Sequence, residues 1–129
     1  MNLVSRRLML AAAATALVPG MASAQQPHTL VMVEEAGCIY CRRWHEEVGG
    51  AYGNSPEGRF APLRRVMIGA PELSHLTGLR FTPTFVLMQG SQEIGRITGY
   101  PGSEFFWGLL AELLAKTSFT ASATDEIKT

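Results

Sequence analysis

Cys38 and Cys41 are the residues of this 129-residue chain best suited to chemistry, and they are its only cysteines. With no third thiol there is no partner for a separate structural disulfide, so any bond these sulfurs make within the chain joins them to each other. A C-x-x-C spacing serves either reversible disulfide exchange or metal ligation. The metal alternative adds His45, giving C-x-x-C-x-x-x-H, one donor short of the four-coordinate set that structural zinc almost always takes. His28 and His75 are the remaining histidines that could complete it. Haem attachment is excluded, because Arg42 stands where C-x-x-C-H requires histidine.

What a dithiol does depends on its compartment. The chain opens with Arg6 and Arg7, continues with the apolar run Leu8 to Val18, and reaches Ala22-Ser23-Ala24, an A-x-A cleavage site. A membrane-spanning helix needs roughly 20 apolar residues, and Pro19 and Gly20 interrupt this run too early. The expectation is therefore a signal peptide over 1–24, cleaved after Ala24, with export to a periplasm by the Sec or the twin-arginine route. Ser5-Arg6-Arg7-Leu8-Met9-Leu10 resembles the twin-arginine signature, with Met9 where that pattern prefers Phe. Residues 25–129 amount to one domain. Formal charge is zero for the whole chain, and removal of Arg6 and Arg7 leaves the remainder slightly acidic. Nucleic acid is not an expected partner.

The elements that position the dithiol can be read from hydrophobic pattern. Thr29 to Val33 is a β-rich apolar run, a buried strand leading into Cys38. From Cys41, Trp44 and Val48 recur at helical spacing, so a helix starts at the motif and is expected to stop at Gly49-Gly50. Gly53 to Gly58 reads as a loop. Leu63 to Ile68 is a second strand and Pro71 to Leu76 a short helix. Thr84 to Met88 and Glu93 to Thr98 form a hairpin across Gln89-Gly90-Ser91-Gln92. Ser103 is the expected N-cap of a last helix carrying Phe106, Leu109, Leu110, Leu113 and Leu114. Trp44, Trp107, Phe105 and Phe106 are assigned to the core or the flank of this helix. The expected domain spans 25–116, with a flexible tail over 117–129.

A strand, a C-x-x-C at a helix start, Thr82-Pro83-Thr84 opening a strand, a hairpin and a final helix together resemble the thioredoxin fold. The resemblance covers nearly all of the chain after the signal. It implies an α/β thioredoxin fold, a central mixed four-stranded sheet with flanking helices, in the order β-α-β-α-β-β-α. More narrowly, C-I-Y-C-R-R-W, S-P-E-G-R from Ser55, T-P-T-F-V-L from Thr82 and G-Y-P-G-S-E-F-F-W-G-L-L from Gly99 are similar to the SoxS-type periplasmic thioredoxins of bacterial sulfur-oxidation loci.

The resemblance implies roles. Cys38 would be the attacking sulfur, its thiolate favoured by the helix N-terminus, and Cys41 the resolving sulfur one turn deeper. Arg42 and Arg43 would either favour that thiolate further or serve solubility. Pro83 would be cis, leaving the Thr82 backbone free to pair with an extended substrate, and Tyr40, Gly99 and Tyr100 would complete the substrate surface. Tyr40 in place of a histidine resembles the disulfide isomerases, which work from the reduced state. The buried acid that cytoplasmic thioredoxins carry six residues before the first Cys is absent, since Met32 occupies that position; Glu34 and Glu35 read as solvated strand-edge residues. The implied activity is a periplasmic thiol-disulfide oxidoreductase, more reducing than oxidising, that needs no bound cofactor. Its implied partners are an exported client with a reducible disulfide, the sulfur-carrier subunit of the sulfur-oxidation complex, and a membrane thiol transporter as electron donor. The alternatives are a general periplasmic dithiol reductase or isomerase, for example in cytochrome c maturation, and a Cys/His metal-binding protein.

Overall fold

Continuous apolar runs in the central strands dictate a sheet that buries both faces. A computed structural model describes residues 26–121; the expected signal peptide, its cleavage site and the chain beyond residue 121 lie outside the described residues. β1 (His28–Glu34) and β3 (Thr84–Gln89) are buried along almost their whole length and pair antiparallel at the centre of the sheet. β2 (Leu63–Met67) runs parallel to β1 at one edge, and β4 (Gln92–Thr98) runs antiparallel to β3 at the other, giving the order β2-β1-β3-β4. The hairpin turns at Gly90-Ser91 with Gln89 opposite Gln92, as its composition predicts.

The helix at the dithiol is longer than its glycines predict. It begins as α1 (Ile39–Trp44), widens into a π-helical turn over His45–Gly49, and resumes as α2 (Gly50–Gly53). Glycine costs a helix about 1 kcal/mol per residue. Burying Val48 and Tyr52, each 1% exposed, contributes roughly 1.5–3 kcal/mol apiece, so packing wins. The expected loop after it contains α3 (Pro56–Phe60). Ser55 caps it by accepting the Gly58 N–H at 2.9 Å, with Pro56 preset for the first turn. Only glycine fits at 58, because a Cβ there would lie 1.8 Å from the Tyr52 carbonyl oxygen.

Between β2 and β3 the expected short helix is a single 3-10 turn, Pro71–Leu73. The last helix, α4 (Ser103–Leu114), buries Phe106, Leu110, Leu113 and Leu114. Its N-cap is Gly102 at φ +117 rather than Ser103, so the chain enters the helix one residue earlier than expected. Beyond it Phe119 packs against Phe60, ring centroids 5.2 Å apart. Among the described residues, no helix is long and apolar enough to cross a membrane.

Two cores result. Leu30, Met32, Phe85, Leu87 and Ile97 face the dithiol helix and α4, meeting Trp44, Tyr52 and Phe106. Val31, Val33, Val66, Val86 and Met88 face the other way and meet Leu73 of the 3-10 turn.

Candidate active site

β1 delivers the chain to the edge of the aromatic core, and a turn through Gly37 brings Cys38 to the start of α1. There Cys38 is the N-cap: its Sγ accepts the Cys41 backbone N–H at 3.1 Å, a donor that the first turn leaves unpaired. Cys38 and Cys41 are joined in a disulfide, their Cα atoms 5.2 Å apart. Cys38 is partly exposed, whereas Cys41 is 4% exposed and belongs to the core cluster that includes Trp44 and Met32. The two sulfurs are thus unequal in access. Arg42 and Arg43 are exposed, each pairing with the glutamate one turn on, Glu46 and Glu47 at 3.9 and 3.5 Å.

The Thr82–Pro83 bond is cis, and Pro83 is buried at the mouth of β3. Thr82 donates its hydroxyl to Glu35 at 2.6 Å, which ties this loop to the turn before Cys38. The Pro83 carbonyl accepts the Gly99 N–H at 2.7 Å, so the end of β4 is held against the same loop. Tyr40, Gly99 and Tyr100 line one shallow cleft with Thr98 and Pro101. Tyr40 is 54% exposed. Tyr100 is buried and donates its hydroxyl to Glu47 at 2.5 Å; burial first, and then this bond, push its pKa up to about 12. The structure therefore brings all seven sequence-predicted residues to one end of the sheet.

Two features escaped the sequence reading. Phe81, next to Thr82 in the cis-proline loop, is a large apolar side chain left 66% exposed. The second corrects the reading of Glu34. Far from solvated, it is 6% exposed at the end of β1, where its carboxylate accepts from Arg65 Nε of β2 at 2.5 Å and lies 2.6 Å from His45 Nε2. Burial alone would raise its pKa, but the hydrogen bonds from Arg65 and His45 outweigh that and hold it below the ordinary carboxylate value. Glu34, His45, Cys38 and Cys41 line one open cleft of about 500 Å³. His45 faces Glu34 rather than converging with the sulfurs on a shared point, and among the described residues no group of three or more His, Cys, Asp or Glu is placed to hold a metal ion.

A C-x-x-C disulfide at a helix N-terminus, one sulfur accessible and its partner buried, set beside a cis-proline loop on this sheet order, defines a thiol-disulfide oxidoreductase of the thioredoxin fold. Residues 19–114 match the model of the thioredoxin-like domain, and the chain belongs to that family. It is similar to the periplasmic thioredoxin SoxS of Paracoccus pantotrophus in its reduced form, at 43% identity and a TM-score of 0.65 over 69% of this chain and 97% of that one. A thioredoxin from Thermus thermophilus matches at 25% identity and a TM-score of 0.56, covering 71% of this chain and 77% of its own. Thioredoxin f2 of Chlamydomonas reinhardtii shares the fold at 17% identity, with a TM-score of 0.55 over 76% and 86% of the two chains. No curated protein sequence matches the chain.

Proposed function

We propose that this protein is a periplasmic reductase that donates two electrons to a disulfide on another exported protein, with Cys38 attacking and Cys41 resolving. The observation that carries the assignment is the unequal access of the sulfurs: only Cys38 is open to a client, and it sits where backbone N–H groups favour a thiolate. In the reduced protein the Cys38 thiolate attacks the client disulfide and forms a mixed disulfide. Cys41 then attacks Cys38, which releases the client as a dithiol and leaves the Cys38–Cys41 disulfide. Thr82, before the cis-proline, offers its backbone to an extended client strand, while Pro83, Tyr40, Gly99 and Tyr100 flank it and Ile39 and Phe81 supply apolar contact.

Residues 1–24 form the export signal and residues 25–116 the thioredoxin-like domain. Export by Sec or the twin-arginine route places the domain where no dithiol pool is poised to reduce it, so its electrons come from a membrane thiol transporter. The client is the sulfur-carrier subunit of the sulfur-oxidation complex, a reading supported by the SoxS-like phrases of the sequence and the 43% identity to SoxS.

Trapping tests the reading. Cys38→Ser should abolish disulfide reduction, and Cys41→Ser should accumulate a covalent adduct through Cys38. In cells grown on thiosulfate, mass spectrometry of that adduct should identify the sulfur carrier. Recovery of cytochrome c maturation proteins instead would keep the chemistry and discard the client. A reduction potential near roughly −270 mV agrees with a reductase; one near about −120 mV reverses the direction.

A further inference from the structure

Resolution requires Cys41 to give up a proton in surroundings that resist charge. Its side chain is almost fully buried in the core cluster to which Trp44, Met32 and Phe85 also belong, and desolvation disfavours a thiolate there. Met32, packed against the same core from β1, has no group that takes a proton. The cleft onto which Cys41 opens does hold titratable and charged groups: Glu34 of β1, Glu35 after it, Arg42, His45 and Glu46 of the helix, and Arg65 of β2. Arg42 and Glu46 are exposed and pair with each other, Glu35 is exposed to water and tied to Thr82, and arginine accepts no proton. Glu34 and His45 remain, 2.6 Å apart. His45 follows Cys41 by one helical turn, which puts both on the same face of the helix.

We propose that the hydrogen-bonded Glu34–His45 pair is the proton acceptor for Cys41, with Arg65 as the positioning residue for the Glu34 carboxylate. The proposal rests on Cys38 attacking and Cys41 resolving. While Cys38 is joined to the client sulfur, the Cys41 thiol proton passes to the pair. The Cys41 thiolate attacks Cys38 Sγ, the bond between Cys38 and the client breaks, and its electron pair leaves on the client sulfur, which recovers the proton from the pair. Over both steps the protein dithiol loses two electrons and two protons and the client disulfide gains them. Arg65 keeps Glu34 ionised, and an ionised carboxylate beside an imidazole stabilises an added proton on the two together.

Single-turnover kinetics separate the steps. Reduced protein is mixed with excess fluorescent peptide disulfide, quenched in acid, alkylated, and resolved by mass spectrometry into Cys38 adduct and internal disulfide. Glu34→Gln and His45→Gln should each slow conversion of adduct to internal disulfide by at least about a hundredfold at roughly pH 7, the lower end of the span of general base catalysis. Both should replace a wild-type rate that levels off with one that climbs with hydroxide. Formation of the adduct should stay within about twofold of wild type, which also reports that the variants are folded. Arg65→Met should slow conversion less, and Arg65→Lys should restore part of it. Unchanged conversion rates and pH profiles in both Glu34→Gln and His45→Gln, with normal adduct formation, overturn this proposal alone. Failure of any adduct to form on Cys38 overturns the assignment of the attacking sulfur as well.

Discussion

The two faces of the sheet are made from alternate residues of the same strands, yet they are finished differently. On one, Trp44, Tyr52, Phe85 and Phe106 interlock between the dithiol helix and α4, with Trp44 and Phe85 centroids 5.2 Å apart and Phe85 and Phe106 4.9 Å. On the other, a valine-rich surface is covered by one 3-10 turn and its flanking loop, which leave an open cleft beside Leu73, Leu76 and Met88. The difference shows where positional accuracy is needed. Aromatic rings in mutual contact fix the helix that carries the sulfurs, whereas the second face needs only to be kept from water.

The same substitution on each cover tests that contrast most strongly. Leu110→Ala, on α4, should cost about 4 kcal/mol and Leu73→Ala, on the 3-10 turn, about 2, because the loosely covered site can relax into its cavity. Urea denaturation of both variants measures this, and equal costs would remove the distinction. Next in size, Gly58→Ala should destabilise by about 3 kcal/mol, since its Cβ meets backbone and cannot be accommodated by a side-chain shift. It should also slow disulfide reduction if α3 helps hold the far end of the dithiol helix.

Acid should reveal a third difference. The folded pKa of Glu34 is depressed, so its contribution is fully present above the ordinary value of 4.5 and is lost as pH falls through the lowered folded value. Glu34→Gln should therefore be less stable than wild type near neutrality by about 1–2 kcal/mol, the scale of a broken charged hydrogen bond, and the gap should close in acid. The smallest effect is expected from Tyr100→Phe, at about 1 kcal/mol for one hydrogen bond. Tyr100 has a raised folded pKa, so the wild-type advantage should persist below the ordinary value of 10 and vanish as pH rises through about 12. Denaturation midpoints across pH decide both.

Local pattern carried most of the fold into view. The buried run of β1, the hairpin and the amphipathic α4 each declare themselves over a few residues, and so does Cys38-Ile39-Tyr40-Cys41. The failures have different causes. Gly49-Gly50 read as a stop because the burial of Val48 and Tyr52 that overrides it is tertiary. Ser55-Pro56 reads as a loop by composition, although serine before proline is equally a local helix start. Glu34 read as solvated because its partners, Arg65 and His45, lie on other elements. Phe81 carried no pattern beyond being apolar beside Thr82-Pro83.

The π-helical turn at His45–Gly49 has a bearing on how related chains should be aligned. Trp44, Val48 and Tyr52 repeat every four residues and all three are buried. On a regular helix of 3.6 residues per turn such a repeat rolls by about 40° at each step, carrying Tyr52 off the core. The wider turn absorbs one residue and brings the three back into line. A relative whose helix is wound regularly must therefore be one residue shorter between Trp44 and Tyr52 to bury the same face. A single-residue gap inside this helix would then mark a change of winding, with both ends of the helix left where they are.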